Sequence, residues 1–89
     1  MSEVAVKIKV MPKSIDTDLS LLGENIRKIL PKGSKIYGDY KIEPIAFGLN
    51  SLILTILIND DKGEIDSIEN AIKNVNDVEN IQILEMGRI

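Results

Sequence analysis

Val4, Val6, Ile8 and Val10 alternate with Ala5, Lys7 and Lys9. A period of two residues is that of a strand with one covered face and one wetter face. Pro12 ends it. Asp16-Thr17-Asp18 then offers side-chain acceptors to the first free N–H groups of a helix, and the acidic charge suits the positive end of the helix dipole. Leu19, Leu22, Ile26, Ile29 and Leu30 fall on one helical stripe, with Glu24, Arg27 and Lys28 outside it, and Pro31 and Gly33 stop the helix. The two aspartates could be pictured as metal ligands, but capping accounts for them with no further assumption.

A weaker, more polar strand runs from Ser34 to Glu43, with Ile36, Tyr40 and Ile42 as its apolar positions. Gly38-Asp39 predicts a bulge or bend within it, and its polarity suits a sheet edge. A turn led by Pro44 carries the only Phe of the chain, Phe47, just before Gly48. From Leu52 to Ile58 the chain is apolar except for Thr55 and rich in β-branched residues, the pattern of a strand covered on much of both faces. This run is too short to span a membrane.

Asn59-Asp60-Asp61-Lys62-Gly63 reads as a turn by composition. A second helix follows from about Glu64 to Asn74, with Ile65, Ile68, Ile72 and Val75 as its buried stripe. Asn76-Asp77 closes it. Val78 to Met86 predicts a last strand with Ile81 and Ile83 on one face, leaving Gly87-Arg88-Ile89 as a short free tail with one cation.

The order is therefore β-α-β-β-α-β over residues 1–89, a single α+β domain. Right-handed crossovers place both helices on one face of a four-stranded antiparallel sheet, the ferredoxin-like layout. The first and third strands then lie in the middle, and these are the two most apolar strands of the chain.

Composition narrows the chemistry. The chain has no Cys and no His, which removes disulfides, thiolate metal sites and the side chain best suited to proton transfer near neutral pH. Catalysis by carboxylate, Lys or Tyr stays open, but a non-enzyme needing no cofactor fits better. A net charge of −3 argues against a general nucleic-acid binder. The N-terminus lacks a basic stretch followed by an apolar core, so no signal peptide is expected and a cytoplasmic location is.

Three functional classes remain for this fold. Ala46-Phe47-Gly48-Leu49 is partly like the aromatic motif of a ferredoxin-like RNA-binding domain, yet the first strand has no aromatic and the third has none after Phe47. A small-ligand regulatory module is supported by fold alone, since no phosphate-cradling glycine-rich loop is present. A docking module for a protein partner suits an isolated Phe in a turn and a basic tail. Against it, Phe47 could fill the core edge under the sheet, and Arg88 could be a solvated terminal charge.

Several stretches carry a resemblance. They are the strand ending in Met11-Pro12, the Asp16-Thr17-Asp18-Leu19 helix start, Glu43-Pro44-Ile45-Ala46-Phe47-Gly48-Leu49, and the acidic Asp60-Asp61-Lys62 turn. Over its entire length the chain resembles the archaeal elongation factor 1-beta family and the C-terminal exchange domain of eukaryotic elongation factor 1-beta. The resemblance implies a translation factor that exchanges GDP for GTP on elongation factor 1-alpha, a monomer when alone, with no covalent chemistry and no direct contact with nucleic acid or membrane. It implies that Phe47 and Gly48 dock on the GTPase's second domain, and that Arg88, followed by Ile89, reaches toward the Mg²⁺ and phosphate region. Eukaryotic forms carry Lys where Arg88 stands, and a basic pair where Asn50-Ser51 stands.

Overall fold

The computed structural model describes residues 3–31, 33–59 and 64–88. Strand β1 (Glu3–Pro12) leads through a capped loop to helix α1 (Leu19–Ile29), then β2 (Lys35–Pro44), β3 (Asn50–Asn59), α2 (Glu64–Lys73) and β4 (Val78–Arg88). The strands form one antiparallel sheet in the order β2-β3-β1-β4. The expected ferredoxin-like arrangement is thus present, with the two apolar strands at the centre.

Alternation dictates the layers. Val4, Val6, Ile8 and Val10 of β1 lie beside Ile58, Ile56, Leu54 and Leu52 of β3, and all eight are buried under the helices. Leu22 and Ile26 of α1 and Ile68 and Ile72 of α2 complete this core, joined by Val78 and Ile81 of β4. Ile65 and Val75 pack at its margin, as the second stripe requires. Ile29 departs from expectation: it is exposed, because it lies on the edge of the first stripe in the last helical residue, and Leu30 packs against the core instead. Asp18 is the helix cap, accepting a hydrogen bond from the Leu21 N–H at 3.2 Å.

The bulge predicted in β2 is present. Tyr37 pairs with Thr55 and Lys41 with Ile53, so Gly38, Asp39 and Tyr40 stand against Leu54 alone. Gly38 takes a φ of 75° there. The extra residues turn Tyr40 back onto α1, where its ring lies so close to Gly23 that an added Cβ would sit 2.7 Å from it.

The other face of the sheet carries no helix. Ile53 and Leu57 are nevertheless buried on it. The register places Lys9 and Lys41 on either side of Ile53, and Ala5 and Lys35 on either side of Leu57. Lys9 keeps only 17% of its side chain exposed, as an aliphatic stem laid beside Ile53 with its ammonium toward Glu43 requires.

The expected free tail is corrected. Gly87 pairs with Ala5 and Arg88 with Val4, so β4 runs through Arg88. The first strand reaches back to Glu3 and supplies ladder partners for these two residues. The Asp60-Asp61-Lys62-Gly63 turn, Ile89 and the side chain of Arg88 lie outside the described residues.

Candidate functional site

The turn between β2 and β3 is built by backbone rules. The Leu49 N–H donates to the Ala46 carbonyl at 3.1 Å, closing a four-residue turn whose central pair is Phe47-Gly48. Phe47 has φ 58° and Gly48 φ 79°. Positive φ at both central positions marks the type I′ turn, whose twist matches that of a hairpin. The Ile45 N–H donates to the Leu49 carbonyl at 2.8 Å, so Ile45 and Ala46 both answer to Leu49, the residue count of a bulge. Ser51, fully buried, anchors the base of the hairpin through its hydroxyl, which donates to the Glu43 carbonyl at 3.0 Å.

Glycine suits its position, but phenylalanine does not. The left-handed region costs an L-residue with a bulky side chain roughly 1–2 kcal/mol, and Asn is the residue preferred there. Phe47 is moreover 97% exposed, the most exposed of the large apolar side chains among the described residues. It fills no core edge. Phe47 thus combines a strained backbone with a side chain left almost wholly in solvent.

Arg88 lies at the other end of the molecule. It pairs with Val4, which pairs with Ile58, while Phe47 precedes Asn50 at the opposite end of β3. Eight residue steps of strand separate the two levels, about 27 Å at the usual rise. The candidate residues therefore form two poles of an elongated body measuring 42 × 20 × 18 Å. The Phe47 pole also carries exposed Ile45 and, in the β1–α1 loop, exposed Ile15.

The remaining polar chemistry is largely self-satisfied. Glu24 accepts hydrogen bonds from Arg27 and from the Tyr40 hydroxyl, the latter at 3.1 Å. These bonds, Arg27's first, hold the Glu24 carboxyl below its usual range. Burial and the bond to Glu24 push the Tyr40 phenol up. Shallow cavities of about 370 and 290 Å³ flank Tyr40 between α1 and β2, but the charged pair lining the larger one is already committed to itself. Among the described residues no group of acidic side chains is placed to hold a metal. No described helix is long and apolar enough to cross a membrane.

The aromatic motif also falls in the turn rather than on the sheet. On the open face the only aromatic is Tyr37, on the edge strand, and the central strands offer none. The stacking platform of an RNA-binding sheet is missing.

Comparison with known protein families matches residues 5–89 to the EF-1 guanine nucleotide exchange domain. The chain belongs to that family. It is 48% identical to elongation factor 1-beta of Methanosarcina mazei and 45% identical to that of Haloarcula marismortui, in both cases over 100% of each chain. The protein of the same name from Methanosarcina barkeri is 47% identical over the same extent. Among solved structures, BlrP1 BLUF superposes on 100% of this chain and 56% of its own with a TM-score of 0.56. At 12% identity that likeness concerns the fold alone. Family membership makes the chain a translation elongation exchange factor.

Proposed function

We propose that this chain releases GDP from elongation factor 1-alpha by holding the GTPase at two separated points. The observation that carries the reading is Phe47, exposed at 97% on a positive-φ turn, at the end of the sheet opposite Arg88. Phe47 and Gly48 form the anchor that seats on the GTPase. Arg88 and Ile89 form the working end, directed at the Mg²⁺ and phosphate region of the nucleotide site.

The energetics are those of coupled binding. Factor and nucleotide each lower the other's affinity for the GTPase by the same factor. Shifting the GTPase about 10⁴-fold toward its nucleotide-free form requires a preference of roughly 5.5 kcal/mol for that form. One buried aromatic anchor supplies at least about 2 kcal/mol of attachment. Attachment alone shifts nothing, because an interaction made equally with both forms of the GTPase leaves their ratio unchanged. The discriminating interaction belongs to the other pole. A guanidinium brought near the metal competes with Mg²⁺ for the same phosphate charge, and loss of the metal loosens the nucleotide. No bond is made or broken.

The test is release of a fluorescent GDP analogue from elongation factor 1-alpha, followed by stopped flow with excess unlabelled GDP. The expected result is acceleration by this protein that is lost in Phe47→Ala at equal concentration. No acceleration by the wild-type chain would refute the reading.

A further inference from the structure

Phe47 holds its φ of 58° at a cost, and a strained residue persists only where its surroundings over-determine it. The ring itself supplies no hold, being 97% exposed. No residue from Lys41 through Asn50 is buried, so burial gives the arm that carries the turn little support. It resumes at Ser51, the one buried polar side chain among the described residues. Burying a hydroxyl is costly unless it is hydrogen-bonded, and alanine would serve as well if burial were all that mattered. What alanine lacks is the bond that Ser51 makes, from its hydroxyl to the Glu43 carbonyl at 3.0 Å.

Glu43 is held a second time, through its side chain. Its carboxylate lies 3.2 Å from the Lys9 ammonium, and that bond crosses β3, because Lys9 stands beside Ile53 and Glu43 beside Ser51. Two ties therefore meet at one residue of the edge strand, one from β3 and one from the central strand β1. Pro44 follows, and its ring fixes φ, so an orientation set at Glu43 is carried into the turn with little slack.

We infer that Ser51 is a positioning residue for the Phe47 anchor: with Lys9 it pins Glu43, and so holds the exposed turn in the form that presents the ring. The inference rests on the reading that Phe47 seats on the GTPase. The apparent affinity of a partner that binds only the presenting form scales with the fraction of chains already in that form. Holding the turn in advance thus raises affinity without adding a contact. Of the two ties the Ser51 bond carries more, since its donor is fully buried, whereas the Glu43 carboxylate is 53% exposed and its ion pair is screened by water. The Arg88 pole lies at the other end of the sheet and is left untouched.

The experiment follows Ser51→Ala, alone and combined with Phe47→Ala, by two readouts. One is the half-saturating concentration and plateau of GDP release from elongation factor 1-alpha; the other is amide hydrogen exchange in the free protein. Thermal melts check that the variants fold. Loss of one hydrogen bond of ordinary net worth corresponds to roughly 2- to 10-fold. Ser51→Ala should raise the half-saturating concentration by that factor and keep the wild-type plateau. The Leu49 and Ile45 amides, whose bonds close the turn, should exchange faster. In the Phe47→Ala background Ser51→Ala should leave half-saturation unchanged, because no anchor remains to be positioned. Ser51→Cys, of similar shape but a weaker donor, should show the same changes to a smaller degree, and decides the matter should Ser51→Ala fail to fold. Unchanged half-saturation, unchanged exchange at Leu49 and Ile45, or a lowered plateau would overturn the inference. So would an equal rise in the Phe47→Ala background, which would make Ser51 a contact in its own right. If Phe47→Ala alone leaves half-saturation at the wild-type value, the anchor reading fails instead, while the exchange rates still report whether Ser51 holds the turn.

Discussion

Replacing Phe47 by Asn should make the protein more stable and less active at once. Phe47 sits at φ 58° as the first central residue of the hairpin turn, with Gly48 after it. Asn-Gly is the pair that type I′ geometry favours most. Asn tolerates the left-handed region, where other L-residues lose roughly 1–2 kcal/mol, so about half of that, 0.5–1 kcal/mol, should be recovered. Little is lost in exchange, because a ring that is 97% exposed contributes almost no packing to its own fold. For a domain of this size, 1 kcal/mol corresponds to about 4–8 °C, so Tm should rise by roughly 2–8 °C. The partner loses a fully buried aromatic, about 1.5–3 kcal/mol, or roughly 10- to 150-fold in Kd. Calorimetry on the free protein and titration against elongation factor 1-alpha read the two effects separately. A lower Tm would refute the strain argument, and an unchanged Kd would refute the anchor.

Three further outcomes follow from other parts of the fold. Gly23→Ala should lower stability by up to about 2 kcal/mol, because the methyl's 2.7 Å clash with the Tyr40 ring outweighs the helix-propensity gain of about 1 kcal/mol. Denaturant melts should show that loss shrinking in a Tyr40→Ala background. Lys9→Met should be within about 0.5 kcal/mol of wild type, since the ion pair it breaks is a surface one, whereas Lys9→Ala uncovers Ile53 and should cost more. The depressed Glu24 carboxyl implies acid sensitivity. Its folded-state pKa lies below the unfolded value, so its contribution is complete above about pH 4.5 and fades as pH falls through the folded value. Glu24→Gln should flatten that limb of a stability–pH curve, and an unchanged slope would count against the assignment.

Most of the fold was legible because its signals are local. The alternation in β1, the stripes centred on Leu22–Ile26 and Ile68–Ile72, and the β-branched run of β3 each specify an element and a face. Their order then leaves one right-handed arrangement. The bulge in β2 was legible from Gly38-Asp39, where glycine supplies the positive φ. The end of β4 was not. The register slips between Lys7 and Ile8, so alternation breaks after Ile83. Gly87 then gives no side-chain signal, and the strand's continuation depends on backbone partners in β1. Ile29 and Leu30 both belong to the stripe by spacing, but only the packing shows that Leu30 meets the core while Ile29 does not. At the site, sequence placed Phe47 in a tight turn without deciding whether it faced in or out, since an isolated aromatic has no periodic neighbours to reveal its side. Its exposure and φ decide that. The Tyr40–Gly23 contact and the Lys9–Glu43 pair join residues distant in sequence and had no signature there.

On the proposed division of labour, one end of the molecule holds the GTPase while the other loosens the nucleotide. The dependence of the GDP-release rate on factor concentration tests it most directly. Wild type, Phe47→Ala and Arg88→Ala are compared up to saturation. Phe47→Ala should raise the half-saturating concentration at least about tenfold and still approach the wild-type plateau. Arg88→Ala should keep the wild-type half-saturation and lower the plateau. The same change in both parameters for the two variants, or wild-type curves for both, would contradict the division of labour.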